Sequence, residues 1–458
     1  DLAIRLIRMD EGDAPVTIDV ESSRTANEQG AAMDQVSYEH RQASMTDSFD
    51  VFPSARPLPL TLPNGKPAIE AWPLDQSILH LNHGSFGAVP NSTLKAVTEY
   101  ESQANRAPIG WFPGVGACIR DMRSQLAEFL GVPPSRVAWV PNASAGASVV
   151  YANIRVSRGS EVLATDHGYG AVLQGAARMA RRDGAVLKIA HVPIDADEDG
   201  VVDAVTAQMS ERTSFIVLDQ ITSATAMLFP VQRIAAEAHR RGIRILVDGA
   251  HAPAQLADPV GGLQSDWWVG NFHKFPCTPR GTALLVIPPE GGQDGQDLWP
   301  LIDSWGFADP FPERFDEQGT QNLCGPIAAP ESLREIERLW GWDVVRRYMS
   351  DLADYAESRV AEAASAVSGE DCSSPVRIPS PAMRLVKLPH GNRTPQELDA
   401  LCPVFRDRIL NELHAEVAVT QFDGELYLRL TAHAYVTADA IDRFAEQSIP
   451  TIVGWLRV

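Results

Sequence analysis

Asp248 and Lys274 are the residues in this chain best placed by type and context to do chemistry. Residues 243–247, Ile-Arg-Ile-Leu-Val, form a mostly apolar run that ends in Asp248, as a buried parallel strand does when its carboxyl end opens onto a site. Lys274 follows in a loop, preceded by His273 and succeeded by Gly281 and a second apolar run, residues 282–287. A strand-end carboxylate and a loop lysine are what pyridoxal phosphate chemistry needs. The lysine amine forms a Schiff base, and the aspartate keeps the pyridine nitrogen protonated so that the ring accepts electrons. The same two residue types elsewhere are a helix cap and a solvated charge, so their neighbours must decide.

Three neighbouring stretches bear on that choice. Pro141-Asn-Ala143-Ser144-Ala-Gly146-Ala-Ser148 lies between a short strand and a helix. Small residues there let backbone N–H groups and a helix N-terminus surround an anion, and Ser144 adds a hydroxyl. The run also reads as a tight turn whose small residues simply pack. Asp166-His167-Gly-Tyr169-Gly170 follows another strand, and a histidine there can lie over a flat cofactor or be a satisfied structural residue. His251, just beyond Asp248, can reach a ring hydroxyl and is equally open to a structural role.

The elements that position these residues alternate. Strands are expected at 137–140, 161–165, 186–191, 214–218 and 243–247, and helices near 92–104, 115–130, 143–154, 170–182 and 231–240. Such alternation predicts a mainly parallel sheet with right-handed crossovers. After residue 330 the pattern changes to a long helical stretch interrupted near Gly341-Trp342, a strand at 383–388, a helix at 395–413, a hairpin about Asp423-Gly424 and a last helix from Ala438. The reading is an N-terminal extension over 1–70, poorly ordered or draped on the surface, a large cofactor-binding α/β domain over 71–330, and a small α+β domain over 331–458.

Composition excludes some partners. A net charge of −20 speaks against nucleic acid and anionic membrane, both of which select basic surfaces. No apolar run spans a bilayer, and the five cysteines, at 118, 277, 324, 372 and 402, have neither metal-ligand spacing nor a disulfide framework. The expectation is a cytoplasmic enzyme without a metal.

Taken together, Leu81-Asn-His83-Gly-Ser-Phe-Gly87, Pro141-Asn-Ala-Ser144, Asp166-His-Gly-Tyr-Gly170, Asp248-Gly-Ala-His251 and Asn271-Phe-His273-Lys274 resemble, in type and order, the class V aminotransferase-like, fold-type I pyridoxal phosphate enzymes, and among them the isopenicillin N epimerase group. The resemblance covers about residues 72–445. It implies a seven-stranded-type sheet flanked by helices, pyridoxal 5'-phosphate as cofactor and a homodimer with shared sites. It further implies Lys274 as the Schiff-base lysine, Asp248 as partner of the pyridine nitrogen, His167 stacked on the ring and His251 near the ring oxygen. Ala143 (through its backbone), Ser144, Asn271 and His273 would hold the phosphate, with Thr320 reaching it from the neighbouring subunit. Arg429 would grip the substrate carboxylate, for which a planar guanidinium fork is suited. The sequence departs from the group at Phe275-Pro276, where a tryptophan usually follows the lysine, and at Gln321-Asn322. Both departures are expected near the substrate pocket.

The reaction stays open between classes. Epimerisation needs Lys274 on one face of Cα and a second acid on the other, for which His83 and Tyr169 are candidates. A carbon–sulfur β-lyase needs only the lysine and a leaving group, and transamination uses the same residues. A cysteine desulfurase also needs a mobile cysteine, and Cys402 sits in a helical core pattern. A non-catalytic binding relative needs none of Lys274, Asp248, His167 and Arg429, so their joint presence favours an enzyme.

Overall fold

A computed structural model describes residues 55–457. The expected extension therefore lies mostly outside the described residues. Its described part is held by Arg56, which bonds Asp439 and Asp442, and by Thr61, whose carbonyl accepts the indole N–H of Trp340 at 2.7 Å.

In chain order the strands are β1 (Leu79–His80), β2 (Val137–Val140), β3 (Glu161–Thr165), β4 (Val186–Ala190), β5 (Thr213–Asp219), β6 (Arg244–Asp248), β7 (Trp267–Asn271) and β8 (Ala283–Val286). β9 (Met383–Leu388), β10 (Ala415–Glu416), β11 (Ala418–Phe422) and β12 (Glu425–Thr431) follow. The helices interleaved among the first eight strands are α1 (Asn91–Arg106), α2 (Pro108–Phe129), α3 (Ala143–Asn153), α4 (Gly170–Asp183), α5 (Glu198–Thr206) and α6 (Val231–Arg240). α7 (Cys324–Leu339), α8 (Trp342–Ser368) and α9 (Pro395–Leu413) lead into the C-terminal domain.

The main sheet has seven strands in the order β2-β8-β7-β6-β5-β3-β4, with β8 antiparallel to both its neighbours and the rest running one way. Its strands are apolar on both faces. Ile216, Leu218, Ile245 and Val247 face one core, and Phe215, Val217 and Leu246 face the other. Burial on both sides is why these strands read as unbroken apolar runs and not as alternating ones. α6 buries Val231, Ile234, Ala235 and Ala238, one stripe at helical spacing. Gly341, at φ 79°, breaks the helical stretch between α7 and α8.

This topology brings one edge of the sheet together. β2, β3, β5, β6 and β7 all end there, and β8 begins there, so the segments after Val140, Thr165, Asp219, Asp248 and Asn271 open in one place. β1 pairs in parallel with β10, Leu79 opposite Ala415, and delivers residues 81–87 to the same edge. The small sheet β11-β12-β9 presents Arg429 from its central strand. Among the described residues no helix is long and apolar enough to cross a membrane.

Candidate active site

At that edge lies a cavity of about 500 Å³. Ala143 and Ser144 line it from the first turn of α3, where backbone N–H groups lack intrahelical partners. Gly146 lets α3 approach the sheet, since a Cβ there would meet Val269 Cγ1 at 2.7 Å. The backbone N–H of Ala143 donates to Asn271 Oδ1 at 2.8 Å, so these two expected phosphate ligands already partner each other. His273 lines the same end, and its Nδ1 is buried with no hydrogen-bond partner.

Asp248 and Asp219 stand opposite each other on adjacent strands, both buried and both lining the cavity. Asp248 accepts the N–H of Ala250 at 2.9 Å. Burial raises its carboxyl, partly offset by that N–H and by Lys274. Burial raises Asp219 well above the usual range, reinforced by the charge of Asp248. Asp219 was missed in the sequence, although its signal is that of Asp248: an apolar strand ending in a carboxylate.

Lys274 is held down to about 7 by burial and by Arg429, against the opposing pull of the two aspartates. Its Nζ lies 2.8 Å from Nε2 of His251, and the same nitrogen is 3.0 Å from the carbonyl of Gly84. Arg429 is buried, pushed down to about 10 by that burial, and donates only to neutral oxygens: Ser223 O, Asn82 Oδ1 at 3.1 Å and Ser85 Oγ at 3.1 Å. Its Nε has no partner. Arg429 lines the cavity, and a buried cation with no anionic partner is a site for an anion.

Four of the residues singled out in the sequence do not line this cavity. His167 does not line the cavity: its Nε2–H donates to Val192 O at 2.8 Å, its Nδ1 accepts from Thr225 Oγ1 at 2.6 Å, and its ring lies 4.1 Å from that of Phe422. Tyr169, two residues on, lines it instead. His83 is also outside, turned under the backbone of Lys274 with Nε2 2.9 Å from its carbonyl oxygen. Phe275 is fully buried beside His83 and not at the substrate pocket. Thr320 is exposed and lines, with Gln321 and Asn322, a separate hollow of about 300 Å³.

The residues present fit pyridoxal 5'-phosphate: a helix N-terminus with Ser144 and an unpartnered His273 Nδ1 for an anion, buried carboxylates for a cationic ring, and a lowered lysine for an aldehyde. Fold and site thus define a fold-type I pyridoxal phosphate enzyme. The model of the family described as aminotransferase class-V matches residues 87–375, and the chain belongs to that family. It is 27% identical over 391 residues to an isopenicillin N epimerase of Streptomyces clavuligerus, covering 81% of this chain and 94% of that one. It is 23% identical over 421 residues to an L-cysteine desulfhydrase-like protein of Epichloe uncinata, covering 82% and 93%. The fold matches the solved structure of a C-DES mutant with glycine covalently linked to its PLP cofactor, at a TM-score of 0.69 and 18% identity, over 84% of this chain and 99% of that one.

Proposed function

We propose that this enzyme is an epimerase or racemase acting at Cα of an amino acid or of a metabolite that contains one. The observation that carries the reading is the order of the strands. Lys274 follows β7 and Tyr169 follows β3, with the Asp248 end of β6 and the Asp219 end of β5 between them. Lys274 and Tyr169 therefore line the cavity on either side of the carboxylates, which supports proton transfer from two sides. The similarity to an isopenicillin N epimerase over most of both chains supports it.

When bound, pyridoxal phosphate supplies an aldehyde for the lysine and a sink for the electrons of the bond broken at Cα. Ser144, His273 and the start of α3 hold the phosphate, and Asp248 holds the proton on the ring nitrogen. Arg429, at the cavity wall, takes the substrate carboxylate. Lys274, with an amine near pH 7 in basicity, moves the Cα proton on its side, and the Tyr169 hydroxyl serves the other. The working unit is a homodimer in which Thr320, exposed and outside its own cavity, completes the neighbour's phosphate site.

The second reading is a carbon–sulfur β-lyase, favoured by the similarity to an L-cysteine desulfhydrase-like protein and requiring only Lys274. A desulfurase is less well served, because no cysteine lines the cavity among the described residues and burial pushes the Cys402 thiol up to about 11. Turnover of an amino-acid panel in heavy water tests the proposal. Epimerisation places deuterium at Cα of both isomers without keto acid or thiol. Release of thiol or persulfide from an S-substituted cysteine faster than Cα exchange would replace it with the lyase.

A further inference from the structure

Beneath the lysine loop, on the side away from the cavity, lies a buried cluster that the proposed mechanism does not use. It holds His83, His433, Cys277 and Tyr435. The rings of His83 and His433 stack with centroids 3.9 Å apart and planes 14° from parallel. His83 Nε2 lies 2.9 Å from the carbonyl oxygen of Lys274, and His433 Nε2 lies 3.0 Å from that of Phe275. A carbonyl only accepts, so both Nε2 atoms carry their protons, and Nδ1 of His83 is left as a lone pair toward the Tyr435 hydroxyl.

Two histidines and a cysteine with donor atoms within 4.8 Å of one another invite a metal. The geometry speaks against one. Near-parallel stacked rings do not aim two lone pairs at a common point, and both Nε2 atoms carry protons that they donate to the carbonyls. Burial also pushes the Cys277 thiol up, whereas a metal ligand must be a thiolate.

What the cluster does is grip backbone. The carbonyl of His273 accepts the N–H of Gly87 at 2.9 Å, that of Lys274 accepts from His83 and from the N–H of Cys277 at 2.9 Å, and that of Phe275 accepts from His433. Three consecutive carbonyls are thus held from outside the turn, and Cys277, at φ 59°, closes it. The fit is tight: a Cβ on Gly87 would stand 2.2 Å from the Lys274 oxygen. The same 82–87 segment holds Arg429 through Asn82 and Ser85, and its Gly84 carbonyl faces His251.

We infer that the stacked pair His83 and His433 are positioning residues that set the direction of the Lys274 side chain by fixing its peptide carbonyl and the next one. The inference rests on Lys274 being the cofactor lysine. Misplacing a reacting amine by about 1 Å costs on the order of 100-fold in rate, so the effect belongs in kcat and in the cofactor's optical signature.

The experiment uses the holoenzyme and four variants, His83→Leu, His83→Gln, His433→Leu and His433→Gln. Leucine removes the donor, while glutamine places an amide N–H near the Nε2 position. Borohydride reduction and peptide mapping of the unmodified enzyme come first, and an adduct away from Lys274 would sink the lysine assignment itself. With the adduct on Lys274, each leucine variant should lower kcat at least about tenfold, leave KM within about twofold, and halve the visible circular dichroism per bound cofactor. Amide hydrogen exchange over residues 272–278 in the cofactor-free protein should quicken, and each glutamine variant should restore most of every readout. Unchanged dichroism, exchange and kcat in the leucine variants would overturn the inference. So would glutamine variants that fold and bind cofactor yet behave as the leucine ones. If the leucine variants do not fold, the glutamine pair decides: near-normal dichroism and kcat support positioning, and a tenfold loss overturns it. Stoichiometric metal that is lost in the His83→Leu and His433→Leu variants would also overturn it, since a metal held by the Nε2 atoms would displace the protons they donate to the carbonyls.

Discussion

Nζ of Lys274 lies 2.8 Å from Nε2 of His251, a ring that burial and the charges of Lys274 and Arg429 hold neutral. The same Nε2 lies 3.0 Å from the Gly84 carbonyl, which only accepts, so it carries the ring proton and donates to the amine once Lys274 loses its own. That loss falls near pH 7 because burial and Arg429 lower the lysine more than Asp248 and Asp219 raise it. Below pH 7 the ammonium dominates and cannot attack an aldehyde. Cofactor capture by the cofactor-free protein should therefore rise about 30-fold from pH 5.5 to 8 and level off, with a midpoint near 7 and not near the ordinary lysine value. Stopped-flow absorbance across that range reads it directly. Asp248→Asn removes a charge that raises the lysine, so its midpoint should move lower.

Asp248→Asn also separates chemistry from folding. An amide oxygen can still accept the Ala250 N–H, which the carboxylate accepts at 2.9 Å, and the volume is unchanged. An amide cannot hold a proton on a ring nitrogen. We expect kcat to fall about 100-fold or more, the scale of a lost acid–base group, while Tm moves by only a few degrees. Calorimetry and steady-state kinetics on the same preparation check this. Near-normal turnover with cofactor bound would mean that another group, with Asp219 the first to test, protonates the ring.

Much of this architecture is legible in the sequence because its strands are buried on both faces. Val137–Val140, Glu161–Thr165 and Arg244–Asp248 carry uninterrupted apolar runs bounded by turns. Trp267–Asn271 was not found, since its signal is two tryptophans, a valine and a glycine amid loop residues. β1 and β10 have two residues each and exist only through pairing between positions 79–80 and 415–416, which no local pattern encodes. At the site, residue type was readable and direction was not. His167 and Tyr169 both follow the strand end, and only the packing of His167 among Val192, Thr225 and Phe422 decides which of them faces the cavity. His83 was readable as a chemical residue, but its turn beneath the lysine loop depends on contacts with residues 274 and 435.

Arg429 makes a sharper case for a carboxylate substrate than its position in β12 alone. All its partners are neutral oxygens and its Nε is unpartnered. Losing one partner of a buried hydrogen-bonded charge pair costs about 2–5 kcal/mol. Arg429→Ala should accordingly raise KM for the amino acid on the order of 30-fold or more. kcat should change much less if the carboxylate is held equally in the ground and transition states. Arg429→Lys should recover only part, because an ammonium lacks the fork. Initial-rate kinetics with the free acid and its amide test the assignment, since the amide should be a poor substrate for the unmodified enzyme and an equal one for Arg429→Ala.

Tyr169→Phe tests the two-sided mechanism. The ring stays, with its exposure at the cavity mouth and the backbone N–H that faces Asp219, and only the hydroxyl is lost. If Lys274 serves one side of Cα and Tyr169 the other, the variant keeps proton removal from the lysine side and loses delivery to the opposite one. In heavy water it should wash deuterium into the starting isomer at a rate within about tenfold of the unmodified enzyme. Formation of the other isomer should fall about 100-fold or more, within the range for a lost general acid. Chiral chromatography with mass spectrometry of one reaction gives both numbers. Equal losses of exchange and inversion would instead make Tyr169 a cofactor contact, and unimpaired inversion would assign the second proton to another donor.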